Sequence, residues 1–225
     1  MSVLFLLVAA CGGGDGGNLY LPDAPSAGLD ASSSSDGAPF QGLVIDWTAA
    51  PSLPGSLNIS TMVTVTSAKL YVEKLEAISD GGADQFATAD DIDVTWSATQ
   101  QPQDIFFPSA PPAIYSKIRL SIDKGPANAP SIEILGTVQV NGSMEMFKVT
   151  TMQKADVEVG GYSVTLGVGE AEGMPIIVKL DALLADVDWM ALPVTNNART
   201  LDDTRTSQMD ALLDRLEDAF TSPLE

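Results

Sequence analysis

From Leu43 onward, apolar and polar residues alternate in runs of five to nine positions. Leu43, Ile45 and Trp47 alternate with Val44, Asp46 and Thr48, the pattern of a strand with one buried face. Leu57, Ile59, Thr61, Val63 and Val65 repeat it, a further strand is expected over residues 68–78, and Ile92, Val94 and Trp96 share one face of the next. The cleanest run places Ile114, Ser116, Ile118, Leu120 and Ile122 on one side and Tyr115, Lys117, Arg119 and Ser121 on the other. Ile132, Ile134, Val138 and Val140 lead into Asn141-Gly142, a pair suited to a tight two-residue hairpin turn, with a return strand through Phe147 and Val149. Gly160-Gly161 predicts a second hairpin between residues 156–159 and Tyr162, Val164, Leu166 and Val168, and residues 176–180 supply one more strand. Nine or ten short strands with regular turn signals predict a mainly β fold, an antiparallel β-sandwich.

The period changes only at the end of the chain. Met209, Leu212, Leu213, Leu216 and Phe220 recur at helical spacing, with Ser207 ahead of Asp210 as a capping arrangement and Pro223 as a stop. The expected organisation is therefore a leader over 1–10, a tether over 11–39, a β domain over 40–200 and a C-terminal amphipathic helix within 201–225 packed on that domain. The tether is Gly, Ser, Asp, Ala and Pro, including Ser32-Ser33-Ser34-Ser35, and such a composition buries too little apolar surface to offset its ordering entropy.

The leader carries the clearest signal. An apolar run, too short to span a bilayer, ends in Val8-Ala9-Ala10 and meets Cys11, the single cysteine of the chain, before Gly12-Gly13-Gly14. These four positions resemble the lipobox of bacterial lipoproteins. That resemblance implies that residues 1–10 are a signal peptide, that Cys11 becomes the acylated first residue, and that the membrane is a partner through this anchor. Glycine rather than aspartate at position 12 implies, by the same likeness, the outer membrane of a Gram-negative envelope. Only Met1 and Ser2 precede the apolar run, so a basic segment and the true start are expected upstream.

Composition narrows the chemistry. There is no histidine, which removes His-ligated metal sites, Ser-His-Asp and Cys-His nucleophile systems, and histidine pH switches. One cysteine forms no internal disulfide, so packing alone must hold the domain. Eleven basic against thirty acidic residues give a net charge of -19, which repels phosphate backbones, and nucleic acid is not an expected partner.

Residues 111–120, Pro-Pro-Ala-Ile-Tyr-Ser-Lys-Ile-Arg-Leu, resemble a group of uncharacterised bacterial lipoproteins with a prealbumin-like β-sandwich. In that group a Pro-x-Gly-x-Tyr turn runs into an alternating strand; Ala113 stands here in place of the glycine. The likeness covers about residues 42–140. It implies a fold and an envelope location, and no activity.

Two acidic sets are candidates for chemistry. Asp80, Asp84, Asp90, Asp91 and Asp93 lie within fourteen residues, and flexible loops of this kind supply oxygen ligands to Ca²⁺. Gln85 and Asp91 stand where an EF-hand needs glycine and glutamate, so a solvated hairpin connection is the expected reading. Weak Ca²⁺ binding by Asp80, Asp84, Asp90 and Asp91 is the alternative, and no other cofactor is expected. Asp181, Asp186 and Asp188 beside Trp189, with Glu170 and Glu172 upstream, are the residue types of a carboxylate-only hydrolase. Trp47, Trp96 and Trp189 are expected in the core, with a carbohydrate platform as the alternative. Ser116 and Lys117, adjacent on a strand, face opposite ways and form no dyad. The leading expectation is a non-enzymatic, envelope-anchored binding or structural module with a protein or polysaccharide ligand. Ca²⁺-dependent adhesion or carbohydrate binding comes second, and a carboxylate hydrolase third.

Overall fold

The computed structural model describes residues 41–53, 55–58, 62–81 and 86–223. The leader, Cys11, the tether, Ile59, Thr61, Asp84 and the last two residues lie outside them. The described chain is mainly β, with short helices towards its C-terminus. Fourteen strands are present among the described residues: β1 (Gly42–Ala50), β2 (Gly55–Asn58), β3 (Met62–Ser79), β4 (Phe86–Ser97), β5 (Ile105–Phe107), β6 (Ala113–Ile122), β7 (Ile132–Val140), β8 (Ser143–Thr151), β9 (Ala155–Val159), β10 (Val164–Leu166), β11 (Ala171–Lys179), β12 (Val194–Thr195), β13 (Ala198–Leu201) and β14 (Phe220–Thr221). Among the described residues three α-helices are interspersed, α1 (Leu180–Leu184), α2 (Thr206–Leu213) and α3 (Leu216–Ala219), with one short 3-10 turn at Pro126–Asn128.

A small sheet runs in the order β14-β11-β1-β5. The larger sheet is organised by β3, an 18-residue strand. One edge of β3 pairs with β2 and then β4; the other pairs with β7 and then β6. Beyond β7 the sheet continues through β8 and β13 to β12, and beyond β6 to β9 and β10. Both sheets and all three helices feed one buried cluster, with Leu43, Ile45, Val72, Leu75, Ile118, Leu120, Ile176, Leu184 and Met209 fully inaccessible. Alternation therefore does what the sequence pattern demands in β1, where Leu43, Ile45, Trp47 and Ala49 are all buried.

Several expectations are corrected. The pairing is not wholly antiparallel: β1 runs parallel to β11, and β13 parallel to β8. Parallel partners lie far apart in sequence and leave no turn signature between them. Leu57 to Val65 is not one strand but a hairpin, Leu57 lying opposite Val63, and residues 62–65 belong with 68–78 in β3. In β6 the expected inward set fails at its start. Tyr115 is buried while Ile114 is 46% exposed. The register against β3 slips between Ile78 and Ser79, so one extra β6 residue at Ser116 reverses the facing of everything before it.

Gly160-Gly161 does not make a hairpin either. β9 and β10 both lie antiparallel to β6, β9 against residues 118–122 and β10 against 113–115. They form one interrupted edge strand whose bulge is carried by Gly161 at φ 80°. Tyr162, inside that bulge, donates its hydroxyl to the Pro175 carbonyl at 2.6 Å and ties the large sheet to β11 of the small one. The Asn141-Gly142 turn forms as expected, with φ of 50° and 81° joining Val140 to Ser143.

The C-terminal helix is split. α2 ends at Leu213, α3 begins at Leu216, and Phe220 already belongs to β14, paired with Val178. No side chain caps α2, so the Ser207–Asp210 arrangement is not used. Met209, Leu212, Leu216 and Phe220 are nevertheless all buried, because two short helices can present the same apolar set to a curved sheet.

Candidate functional site

The acidic run was the strongest candidate in the sequence, and the structure spreads it along a hairpin. Asp80 follows the last residue of β3, and its carboxylate accepts the Ser116 hydroxyl. Asp90 and Asp91 lie inside β4, with Asp90 opposite Lys74. Asp80 lies six residue steps along the chain from Lys74, about 20 Å at the rise of a strand. Asp80 is therefore not brought together with Asp90 and Asp91, and Asp84 lies outside the described residues. Among the described residues no three acidic or thiol side chains converge as a cation cage would require. Asp91 adopts the left-handed conformation at φ 57° and accepts the Tyr71 hydroxyl at 2.5 Å. That bond, then burial of the ring, pushes the Tyr71 phenol up to about 12. Asp93 pairs with Lys69 at 3.0 Å. Among the described residues β4 pairs with β3 alone, so these aspartates line an open edge, where charge discourages a further strand from adding.

The second acidic set is also dispersed into local bonds. Asp188 accepts the backbone N–H groups of Met190 and Ala191 at 3.2 Å each, and Asp181 accepts that of Ala182 at 3.0 Å. Asp186 pairs with Arg215, and Glu170 accepts the Gly167 N–H at 3.0 Å. The tryptophans are buried. Trp47 meets Trp96 edge-on with centroids 6.4 Å apart, and Trp189 lies 4.6 Å from Phe147. None of the three offers a ring to a sugar.

Across the outer surface of the large sheet the two halves differ. On the β3–β6–β9 half, Glu76, Arg119 and Glu158 lie in one cross-strand row. Arg119 reaches both carboxylates, at 3.5 and 3.3 Å, and Lys117 meets Glu158 at 2.6 Å. The Lys117 bond, with Arg119 adding to it, holds the Glu158 carboxyl below its ordinary value. This half satisfies its own charge.

The β3–β7–β8–β13 half carries almost none. Thr64, Thr137, Met146 and Ala198 form one row, and Leu135, Lys148 and Thr200 the next. Met144 stands opposite Gln139, beyond the Val63–Val138 pair, which puts Met62 on the same row. Met62, Met144 and Met146 are 52%, 54% and 60% exposed. A groove of about 630 Å³ crosses this face between Thr66, Thr137, Met146 and Thr195. Lys148 also lines it and pairs with Glu133 at 2.5 Å. Methionine is unbranched and polarisable, so such a surface adapts to an apolar partner. In the sequence this face shows only as the uncharged outward positions Leu135, Thr137, Gln139, Met144 and Met146, which carry no motif.

A like-charge pair occurs on the small sheet. Asp46 and Asp104 adjoin across β1 and β5, next to the Ile45–Ile105 pair. Desolvation first, and then the Asp46 carboxylate, push the Asp104 carboxyl up. A carboxyl raised in the folded state favours folding at low pH, and that contribution is lost as pH rises through the raised value. Asp104→Asn is therefore expected to stabilise the domain slightly at pH 7, by a few tenths of a kcal/mol for so exposed a group, and to have no effect near pH 3. Urea unfolding at the two pH values checks the sign; equal or greater stabilisation at the acid value would contradict it.

Comparison of the chain with family models, with curated proteins and with solved structures gives no match.

Proposed function

We propose that this chain is a lipoprotein of the bacterial cell envelope, held at the outer membrane through acylated Cys11, whose domain binds a partner and catalyses no reaction. The observation that carries the reading is the run Val8-Ala9-Ala10-Cys11 closing a short apolar leader ahead of a Gly/Ser/Asp tether. In this reading the two sheets pack as a sandwich of the prealbumin type, joined to Cys11 by the tether. A protein ligand is favoured over a polysaccharide. Trp47, Trp96 and Trp189 are buried and offer no ring to a sugar, while the methionine and threonine face, with Lys148 its one charged groove residue, offers an adaptable apolar surface. A cation-dependent ligand has no comparable support, since Asp80 and Asp90–Asp91 stand apart along the hairpin.

Metabolic labelling with palmitate tests the anchor. The native chain is expected to incorporate label and to partition into the detergent phase. Cys11→Ala should lose the label and remain an uncleaved precursor. An equally labelled Cys11→Ala chain, or an unlabelled native one in the aqueous phase, overturns the assignment.

A further inference from the structure

In a chain carrying 30 acidic residues, uncharged sequence of any length is informative when the fold gathers it in one place. Residues 41–45, 105–116 and 159–169 contain no charged side chain. The structure brings their ends together. Gly42 donates its N–H to the Glu170 carbonyl at 2.8 Å and packs so closely on the β5 turn that a Cβ there would meet the Phe107 carbonyl at 2.3 Å. Leu43 pairs with Phe107, and Ala113, at the other end of the same proline-containing turn, pairs with Leu166. Val168 follows between Gly167 and Gly169 and is 89% exposed, the highest value among the large apolar residues described. Ile114, opposite Thr165, is 46% exposed, and Phe106, opposite Val44, is 42% exposed. Of the acids at this end, Glu170 accepts the Gly167 N–H and Asp80 the Ser116 hydroxyl, while Glu172, opposite Leu43, is exposed.

Gln41, the first described residue, lies at this same end, its side chain beside Gly169. We propose that this end, formed by Gly42, the Phe106–Ile114 turn and the Gly167–Gly169 tip, seats on the lipid bilayer surface. The inference rests on the lipoprotein reading and adds an orientation to it. A bilayer suits the chemistry. Apolar tips gain from entering the headgroup boundary. The charge-free runs at this end also lessen the repulsion that anionic headgroups exert on an acidic surface. The methionine face, at the other end of β3 from the Ser79–Tyr115 pair, is left clear for a partner.

The test uses the full chain, reconstituted in phosphatidylcholine vesicles with brominated acyl chains. Tryptophan reporters are placed at Val168 (Val168→Trp), at Ser109 (Ser109→Trp) as a second tip position, and at Met144 (Met144→Trp) on the far face. Emission above the background of the three buried native tryptophans is compared with that in unbrominated vesicles. At least twofold quenching is expected at positions 168 and 109, with little change at 144, and anionic lipid should weaken the tip quenching. If the chain floats with the vesicles but quenching at 168 and 109 does not exceed that at 144, the seating is wrong while the anchor stands. A blue shift at 168 without bromine quenching means that a protein covers this end, which also overturns it. If the native chain fails to float, the lipoprotein reading itself is lost and the seating with it.

Discussion

Trp96→Ala is expected to destabilise the domain by about 3–5 kcal/mol, the range for deleting a large buried aromatic. Trp96 is 1% exposed on β4 of the large sheet, and its ring meets that of Trp47, 5% exposed on β1 of the small one, at an interplanar angle of 79°. The pair therefore links the two sheets. Truncation removes its contribution and leaves a void bounded by strands that cannot close independently. Trp96→Phe should cost much less. The buried indole N–H groups of both residues have no hydrogen-bond partner among the described residues, so the replacement loses volume but no bond. Urea unfolding of the two variants, with unchanged denaturant dependence, measures the difference. A loss below 1 kcal/mol for Trp96→Ala would place the indole outside the core and revive it as a ligand surface.

Period-two patterning was enough to read the mainly β character, the inward faces of β1 and β7, and the Asn141-Gly142 turn. Errors arose where a single residue changed phase. The extra residue at Ser116 turned Tyr115 inward and Ile114 outward, and no propensity marks such a slip. Tyr115 is held there by donating its hydroxyl to the Pro111 carbonyl at 2.8 Å, a contact that depends on the turn geometry. Gly160-Gly161 was legible as a break in a strand but not as a bulge, because both outcomes use the same positive φ. Parallel partners such as β1 and β11 leave no local trace at all.

For the candidate site the lesson concerns what acidic spacing means. Asp90 and Asp91 invite a cation reading, and Asp93 adds to their density in sequence. In the fold they occupy an open strand edge, each with a protein neighbour such as Lys74, Tyr71 or Lys69. The methionine face lacked any conspicuous motif, since its signal was the absence of charge on alternate positions of two adjacent strands. Only the register of β7 against β8 makes those positions neighbours.

Arg199→Ala should rank second in effect, at roughly 2–3 kcal/mol. The Arg199 side chain is only 12% exposed, and its guanidinium binds both Glu145 oxygens, at 2.8 and 3.3 Å. Its remaining terminal nitrogen donates to the carbonyls of Trp189, Met190 and Leu192, at 3.0 to 3.2 Å. One side chain thus fixes β13 to β8 and pins the segment that carries Trp189 against Phe147. Removing it strands Glu145 and three carbonyls, and breaking a buried pair from one side costs more than the pair contributes. Glu145 is 32% exposed, so water recovers part of that loss and the effect falls below the fully buried range. Arg199→Lys should lose nearly as much, since an ammonium lacks the planar fork that serves carboxylate and carbonyls together. Glu145→Gln, which leaves every carbonyl bond in place, should cost about 1 kcal/mol or less. Chemical unfolding ranks the three, and hydrogen exchange over residues 188–193 should accelerate in the two arginine variants alone. Equal losses for Glu145→Gln and Arg199→Ala would show that the ion pair carries the effect and the carbonyl bonds little.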